Sequence, residues 1–594
     1  MSTTIREAER ILGFLQTAAE IDGSYWDKEM QMKFQILLIK NRQYLNDETN
    51  TQSFNNLSNE QARILKDKSI DMTFEQASDI FHSKNYNDPP MRGRQSMSPL
   101  VKLGLVYLID KVISITDVGW KLISGEIEFG SFILDSLLKF QYPNPTERGF
   151  QDWNTKPFIS TLRLIDTVNK MCSEAGIKAK GISKTEFGIF ALSLKSYTDV
   201  ENVARKILEF RSELESLPQD DRDDFVTSYI NDYLADFKNP VKNVKEYTDN
   251  MIRYIRQTKY IYIRGKYAHT YIDLEPRRLI EIYSILDSDS GSSKEFTAED
   301  WMTYMGTYGA YELPFETVEK LTRIVEEIVE EIHLLEMKLG IQATNYHIPT
   351  AKESLKELIE ELRHYRTRLQ NLEIKFDYHR DTTKIDEAIE ALQDIRSRNN
   401  SRLAKKYSVE LEKWTNVALN IINDSELIKP NYPVGDDNEP TYTAPSGVPD
   451  IECFYENFNA ICEVTMLTSR DQWYNEGQPV MRHLREFENK FDDKDSYCLF
   501  VAPTIHIDTL NTFWMSVKYE YQGNRQRIIP FTIGQLISIL ELIKDMKLQG
   551  RNMTRDDIQS LYDSCLDISH LPSSTEWIDF ISYQLDEWKG NLIA

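Results

Sequence analysis

The spacing of hydrophobic and polar positions changes along the chain. Apolar residues recur at helical spacing from residue 1 to about 90, between polar loops. Residues 103–109 and 111–116 instead alternate like two short strands around Asp110, and Thr116 is placed to cap a following helix. Helix, two-stranded hairpin and short helix in this order predict a winged-helix unit.

Two later stretches predict variations of the same small fold. Residues 155–215 contain Ser183 followed three residues later by Glu186, the pattern of a capping box. Residues 244–283 run from a helix into two strand-like segments and then into a second helix. No clean sequence repeat relates these stretches. Residues 1–290 are therefore expected to form a mainly α region with winged-helix-like subdomains.

The polar segment 287–295 is typical of a domain boundary. After it, residues 315–341 and 351–376 carry apolar positions at helical spacing beneath dense charge. They predict two long antiparallel helices. Residues 291–385 are accordingly expected to be a helical linker, a solvated spacer that sets the distance between the parts it joins.

The C-terminal third predicts an α/β domain over residues 386–594. Its strand-like runs are separated by helical segments, which indicates a mixed central sheet. The runs are DIECFYEN, NAICEVTML, SYCLFVAP and RIIPFTIGQL. The whole chain is thus expected to be a multidomain protein.

Composition narrows the class of protein. With 594 residues, 41% of them hydrophobic and 28% charged, the chain can bury several ordinary cores. A net charge of −24 is a weak objection to a nucleic-acid partner, because net charge does not say where basic residues cluster. The five cysteines form no C-x-x-C pair, which argues against a zinc site and a disulfide framework. No secretory signal or membrane span is recognisable, so a cytoplasmic protein is expected.

One pair of carboxylates is a candidate metal-binding catalytic site. Pro449 and Asp450 are placed at the end of one predicted strand, and Glu463 lies 13 residues further on, near the middle of the next strand. Neighbouring strands lie about 4.8 Å apart, so both carboxylates could hold one Mg²⁺. This layout is typical of Mg²⁺ nucleases of the PD-(D/E)xK type, except that Thr465 stands where they have lysine.

Two residues nearby strengthen this interpretation. Glu476 could add a carboxylate, and His483 could orient or deprotonate the attacking water in place of lysine. The structural alternative is a strand-end aspartate, a half-exposed glutamate and a histidine on the helix surface or in the core. Short motifs of this kind are weak when taken alone.

Several segments together, in order, resemble the AlwI family of type IIS restriction endonucleases, which includes relatives that nick one strand. The resemblance rests on the order of these segments along most of the chain. The segments are RGRQSMSP, LGLVYLID with VISITDVGWKLI, LLKFQYP, LPFETVEKL, PDIECFYENFNAICEVT, EGQPVMRH and YCLFVAP.

The resemblance implies a winged-helix recognition region, a helical linker and a nuclease domain. It implies Mg²⁺ as cofactor, with Asp450, Glu463 and Val464 as metal ligands, and a catalytic Glu476 and His483 after a non-lysine residue. A glutamate on the helix before the sheet also contributes in this family. Glu412 is the nearest match, although Glu410 is two residues away.

Recognition of DNA is assigned to basic residues in the first half of the chain. Arg92 and Arg94 could fork onto guanine and Gln95 could bind adenine, unless they contact phosphates alone. A basic segment with interleaved tyrosines favours a backbone-binding surface. The further DNA-binding candidates are Lys102, Arg253, Arg256, Lys259, Arg264 and Lys266.

The sequence therefore predicts a type IIS restriction endonuclease that binds a short asymmetric DNA site and cuts a few base pairs outside it. One chain offers one catalytic site, so cutting both strands requires a transient homodimer or a small catalytic subunit. The alternatives are a strand-specific nicking enzyme or large subunit of a heterodimer, a non-catalytic DNA-binding regulator, and an acidic scaffold. A cognate DNA methyltransferase is the expected genetic partner, in a prokaryotic cytoplasm.

Overall fold

The fold is that of a computed structural model, which describes residues 5, 8, 10–43, 57–66, 71–264, 270–380, 382–398, 407–422, 424–445 and 447–593. This part of the chain is mostly helical and contains a two-stranded, a three-stranded and a five-stranded sheet. None of its helices is long and apolar enough to cross a membrane. All five cysteines are buried and unpaired.

The first half consists of helices with two small sheets. Its helices are α1 Arg10–Ala19, α2 Lys28–Lys40, α3 Asn59–Lys66, α4 Phe74–Ser83, α5 Pro89–Lys102, α6 Asp117–Ser124, α7 Phe129–Lys139, α8 Pro157–Glu174, α9 Lys184–Glu186, α10 Val200–Ser216, α11 Arg222–Tyr233, α12 Pro240–Gln257, α13 Leu279–Ser288 and α14 Ala298–Gly306. Its strands are β1 Val106–Ile109, β2 Val112–Ile115, β3 Ile182–Ser183, β4 Ile261–Arg264 and β5 Tyr271–Leu274.

The first predicted unit has the expected order of elements. α5 leads into the antiparallel hairpin β1–β2, and α6 follows. Asp110 and Lys111 at the hairpin tip both have positive φ, +48° and +60°, which matches a two-residue turn to the twist of its strands. Thr116 caps α6 because its Oγ1 accepts the N–H of Gly119 at 3.0 Å.

The second and third predicted units share one sheet, which the sequence did not indicate. β3 pairs with β5, Ile182 opposite Ile272, and β5 pairs with β4. The capping box of Ser183 and Glu186 is present as predicted. β3 has only two residues and gains its ladder from the distant hairpin, because so short a strand is not stable alone. Three separate variations of one fold are therefore not what the chain forms.

The two long helices are α15 Val318–Leu339 and α16 Lys352–Arg380. They run parallel, so the predicted antiparallel arrangement is wrong: near their first residues Lys356 pairs with Glu316 at 2.9 Å, and near their last residues Lys338 pairs with Glu373 at 2.6 Å. The segment that joins them does not form a tight turn but returns along α15, where the carbonyl oxygen of Thr344 lies 3.0 Å from His333 Nε2, so that α16 starts again beside the start of α15. Their apolar faces belong to the hydrophobic core that extends from residue 5 to residue 369. The expected solvated spacer is thus packed along the first half of the chain. The exact domain limits stay a prediction.

The C-terminal third is an α/β unit with its own hydrophobic core, formed between residues 385 and 588. Its helices are α17 Thr382–Ser397, α18 Tyr407–Ile422, α19 Arg470–Gln472, α20 Gln478–Lys490, α21 Ile507–Lys518, α22 Ile533–Leu548, α23 Arg555–Leu566 and α24 Ser574–Ile593. Its strands are β6 Leu427–Pro430, β7 Ile451–Phe454, β8 Phe458–Val464, β9 Asp495–Ala502 and β10 Ile528–Thr532.

The five strands are ordered β10-β9-β8-β7-β6. β6, β7 and β8 pair antiparallel, whereas β8, β9 and β10 pair parallel, so the predicted mixed sheet is confirmed. The edge strand β6 was not predicted. It is short and contains Lys429 and Pro430. Such residues are typical of edge strands, which they protect from further pairing, and they give only a weak strand signal in the sequence.

Candidate active site

Asp450 and Glu463 lie opposite each other at one end of the sheet. β7 and β8 pair with Ile451 opposite Cys462, and one further step of the same register sets Asp450 opposite Glu463. Residues opposite in an antiparallel pair project from the same face, with about 5 Å between their Cβ atoms. Glu463 is the penultimate residue of β8, whereas the sequence predicted the middle of that strand, and Asp450 directly precedes β7 instead of ending a strand. The spacing of 13 residues is therefore that of a tight hairpin.

The strand ends hold the two carboxylates by backbone contacts. The N–H of Val464 donates to Asp450 Oδ2 at 2.8 Å. Glu463 is buried, with 5% of its surface exposed. Since Val464 is apolar, its predicted role as a metal ligand would fall to its carbonyl oxygen.

Thr465 occupies the position of the usual lysine without replacing its charge. It is buried, and its N–H donates to the carbonyl oxygen of Val501 on β9 at 3.0 Å. Its hydroxyl accepts the N–H of Leu467 at 3.2 Å. Thr465 thus extends the sheet and forms a turn.

His483 reaches the pair from helix α20. Its Nδ1 lies 2.8 Å from Glu463 Oε1, and its buried Nε2 has no hydrogen-bond partner among the described residues. A neutral ring with its proton on Nδ1 donates to the carboxylate and leaves Nε2 as an acceptor. Burial, followed by the nearby charge of Arg482, lowers the pKa of His483 below its ordinary value. His483 therefore favours the neutral form that a general base requires.

Glu476 contributes charge to the same end of the sheet. It lies half-buried in the π-helical turn Trp473–Gly477 that precedes α20. Burial raises the pKa of Glu463 well above its ordinary value, and the charge of Glu476 raises it further. Burial and the charge of Glu463 likewise raise the pKa of Asp450. The predicted carboxylates thus interact electrostatically in the folded chain.

Glu412 approaches from helix α18. It is buried, and its Oε2 accepts the N–H of Ala444 at 2.8 Å. Burial and then the charge of Asp450 raise the pKa of Glu412 to about 9. Glu410, the competing match, accepts a hydrogen bond from Trp414 Nε1 at 3.1 Å instead. Sequence reasoning missed Ala444, since a backbone donor in a loop leaves no mark in residue type.

Whether a divalent cation fits Asp450, Glu463 and Glu412 depends on their geometry and their charge. Within the described part of the chain, no group of three or more His, Cys, Asp or Glu is arranged to hold a metal ion. Mg²⁺ commonly uses only one or two carboxylates and completes its shell with water and substrate phosphate. Among the described residues, no lysine or arginine lowers the pKa of Asp450, Glu463 or Glu412. A cation would balance this excess negative charge, so the residues fit one.

The proposed recognition arginines lie inside helix α5. Gly93 packs so closely on α2 that an added Cβ would stand 1.9 Å from the carbonyl oxygen of Gln31. At 100° per residue, Arg92 and Arg94 project from opposite flanks of this contact. The Arg92 guanidinium stacks over Tyr86, with 4.7 Å to the ring centroid. The two arginines therefore cannot share one base edge.

Their surroundings separate the two arginines further. Arg94 pairs with Asp88 at 2.8 Å and donates to Gln31 Oε1 at 2.9 Å. Arg92 lies beside the exposed Gln95 on the same face of α5, with 3.5 Å between Nη1 and Oε1. Arg92 with Gln95 is the pair better placed to meet a base edge.

The basic face expected farther along the chain is only partly present. Arg256 is buried, with 8% exposed, and Arg253 is half-buried. Lys259 pairs with Glu128 at 3.2 Å, and Lys102 with Glu147 at 2.6 Å. Lys266 and the side chain of Arg264 lie outside the described residues. Local carboxylates thus neutralise two of the predicted cations in the protein without DNA.

Comparison with known proteins decides the family. A family model described as AlwI restriction endonuclease matches residues 101–539. The chain belongs to the AlwI restriction endonuclease family. This AlwI-family protein is therefore a site-specific nuclease that binds DNA, as the sequence predicted, and the family suggests a divalent metal cofactor.

No curated protein matches the AlwI-family chain. Among solved structures, the small subunit of the heterodimeric restriction endonuclease R.BspD6I is 21% identical, covers 33% of this chain and 98% of its own, and gives a TM-score of 0.29. The DNA-bound binding domain of BpuJ1 endonuclease is 14% identical, with coverages of 39% and 84% and a TM-score of 0.26. Restriction endonuclease FokI is 11% identical, with coverages of 91% and 99% and a TM-score of 0.19.

Proposed function

We propose that the chain is a type IIS restriction endonuclease that requires Mg²⁺. It binds a short asymmetric DNA sequence through its winged-helix-like first half and hydrolyses a phosphodiester bond a few base pairs outside that sequence. The observation that carries this proposal is the placement of Asp450 opposite Glu463, with His483 hydrogen-bonded to Glu463. The C-terminal α/β unit then acts as a nuclease domain of the PD-(D/E)xK type in which histidine replaces lysine.

Asp450, Glu463 and the carbonyl of Val464 would hold the ion, and Glu476 and Glu412 complete the acidic cluster. When bound, Mg²⁺ supplies charge neutralisation at the phosphate and a lower pKa for water. The residues must keep the carboxylates ionised and converging on one point, which the Val464 N–H assists at Asp450.

His483 serves as general base in this proposal. Glu463 accepts the Nδ1 proton and fixes the ring, which leaves Nε2 free to take a proton from the attacking water. The water oxygen bonds to phosphorus as the bond to the 3′ oxygen breaks. The leaving 3′ oxygen takes a proton from solvent water, and His483 later releases its proton to solvent, so the products are a 5′ phosphate and a 3′ hydroxyl. Fixing the tautomer through a carboxylate is a common way to orient a catalytic histidine.

The described part of the chain contains one such cluster, so one chain cuts one bond at a time. Cutting both strands requires a second catalytic domain, supplied by a transient homodimer or a small catalytic subunit. Without that domain the enzyme nicks one strand with the same chemistry. A cognate methyltransferase and a cytoplasmic location in a prokaryote complete the proposal, since the host's own sites must be protected.

The test incubates the pure protein with supercoiled plasmid and Mg²⁺, separates nicked from linear DNA, and determines the ends by run-off sequencing. Ends at a fixed offset from one short motif support the proposal, and linear or open-circular product distinguishes double-strand cutting from nicking. The control is Asp450→Asn under the same conditions. Intact plasmid with tight DNA binding would instead indicate a non-catalytic regulator.

A further inference from the structure

Buried and half-buried charges fill the junction between the first half of the chain, helices α15 and α16, and the loop that joins β6 to β7. Four arginines and four carboxylates make up this junction cluster, so its charges balance. Its members are Glu275, Arg277, Arg278, Glu281, Glu331, Arg363, Arg366 and Asp436.

Asp436 joins the three parts. Its Oδ2 accepts from Arg278 Nε at 2.5 Å, and its Oδ1 accepts from Arg366 on α16. All three side chains are buried, Arg366 to within 1% and Asp436 to within 6% of full burial. The carbonyl oxygen of Asp436 also accepts from Gln370 on α16 at 3.2 Å. Two residues on, Asn438 donates to Asn371 at 3.0 Å.

One side of this contact leads to the DNA-binding candidates. Arg278 ends the 3-10 turn Pro276–Arg278, which directly follows β5. β5 pairs with β4, the strand within the predicted basic segment. Arg277 beside it is tied to α15 through Glu331 at 2.6 Å. A short segment that Glu331 anchors to α15 therefore joins the β4–β5 ladder to Arg278.

The other side leads to the catalytic carboxylates. The loop that carries Asp436 also carries Ala444, whose N–H holds Glu412 at 2.8 Å. At the start of the loop, Asn431 donates its N–H to the carbonyl oxygen of Asp450 and its Nδ2 to that of Pro449, both at 2.9 Å. Asp436 thus lies in a segment whose two ends contact the candidate active site.

Burying so many charges is a poor way to gain stability, because apolar packing of equal volume serves as well or better. It is a good way to select one arrangement. An apolar interface tolerates sliding, whereas any shift here leaves a buried charge without its partner. Each guanidinium fork also fixes the direction of its carboxylate.

We propose that Asp436 is a positioning residue that sets the distance between the recognised sequence and the bond that is cut. Its pairing with Arg278 and Arg366 holds the nuclease loop in one register against the recognition region. This inference rests on the proposed type IIS function. It assigns the offset to a buried side chain and not to linker length alone.

The experiment compares cut positions for wild type, Asp436→Asn and Asp437→Asn by run-off sequencing on DNA with one site. The Asp436→Asn substitution keeps the size of the side chain and removes its charge. Asp437 is the matched control, since its Oδ1 accepts the N–H of Glu439 within the same loop, asparagine retains that acceptor, and no ion pair joins Asp437 to an arginine among the described residues. Wild type and Asp437→Asn are expected to cut at one offset, and Asp436→Asn at several neighbouring positions. Lower stability alone would slow cutting without moving it.

Asn438→Ala provides a second variant that leaves no buried charge, in case Asp436→Asn does not fold. It loosens the same loop from α16 and is expected to broaden the cut positions in the same way. An unchanged single offset in whichever variant folds would overturn the inference. So would a folded Asp436→Asn protein that binds its site but no longer cuts, because Asp436 would then serve the chemistry. If the wild type itself fails to cut, the proposed function fails instead.

Discussion

His483 Nδ1 lies 2.8 Å from Glu463 Oε1, so a helix side chain is attached to the strand that carries the central carboxylate. In the expected motif a lysine two residues after the glutamate supplies the group beside the attacking water. Here Thr465 stands at that position and donates its N–H to the neighbouring strand β9. The histidine lies on α20, 20 residues after Glu463 in the sequence. The proposed general base is thus contributed by helix α20 and not by the strand that carries Glu463.

Replacing His483 by alanine is expected to lower the cutting rate by about 10²- to 10⁴-fold, the usual contribution of a general base. Wild-type activity should fall on the acid side as His483 is protonated. Because the pKa of His483 is lowered, this acid-side fall in the pH–rate profile is expected at a lower pH than the ordinary pKa of histidine. The His483→Ala variant should lack this acid-side fall in rate. Single-turnover rates across pH measure both effects.

His570→Ala is the matched control, since His570 lies exposed against Phe580 in the same unit. It should cut at the wild-type rate. An unchanged acid-side fall in rate in His483→Ala would assign the base to another residue.

Asp450→Asn and Glu463→Gln are each expected to reduce cutting by about 10³-fold, a loss of roughly 4 kcal/mol of transition-state stabilisation. Specific DNA binding should remain, because neither residue lies in the recognition region. Gel-shift titration and plasmid cleavage measure the two properties separately. Glu456→Gln is the control: Glu456 lies exposed in the turn between β7 and β8 and pairs with Arg555. Normal cutting by either active-site variant would contradict the proposed metal ligands.

The acidic cluster should make the metal-free protein less stable as pH rises. Folding raises the pKa values of Asp450, Glu463 and Glu412, so the unfolded chain releases these protons at lower pH than the folded one. The stability contribution is full below the unfolded pKa, about 4. It is lost as pH rises toward the folded values, about 9 for Glu412.

Thermal unfolding in EDTA between pH 5 and pH 9 checks this expectation. Mg²⁺ should raise the Tm more at high pH than at low pH, because it binds the ionised cluster of the folded protein. The double variant Asp450→Asn, Glu463→Gln should show a flatter profile and a weaker response to Mg²⁺. An equal response of both proteins would place the bound ion elsewhere.

Arg92→Ala is expected to weaken site-specific binding by about 1–3 kcal/mol, the usual value of a good base contact. Arg94→Ala should cost less, since Asp88 and Gln31 already engage its guanidinium. Arg205→Ala on α10, exposed and paired with Glu201, is the control and should bind normally. Competition titrations with specific and non-specific DNA decide between the two arginines. Equal losses for both kinds of DNA would mean that Arg92 contacts phosphate alone.

Local pattern was sufficient for much of the fold. The hairpin around Asp110, the cap at Thr116 and the capping box at Ser183 depend on neighbours in sequence, and all were predicted. The existence of the long helices α15 and α16 was predicted as well, but their relative direction was not, because the returning segment between them is set by tertiary packing. The pairing of strands that are distant in sequence was not predicted. β3 joins a sheet formed by a hairpin about 80 residues later, and its two residues carry no period of their own.

By itself the sequence determined the family, the mixed sheet and the pairing of Asp450 with Glu463, because a spacing of 13 residues with one tight turn allows that register. Only the tertiary structure decided that His483 touches Glu463, that Glu412 and not Glu410 faces the cluster, and that Asp436 joins Arg278 to Arg366. These contacts form between elements whose distance is set by core packing. Close packing in the core fixes their geometry, and the spacing of apolar residues along the sequence does not indicate it.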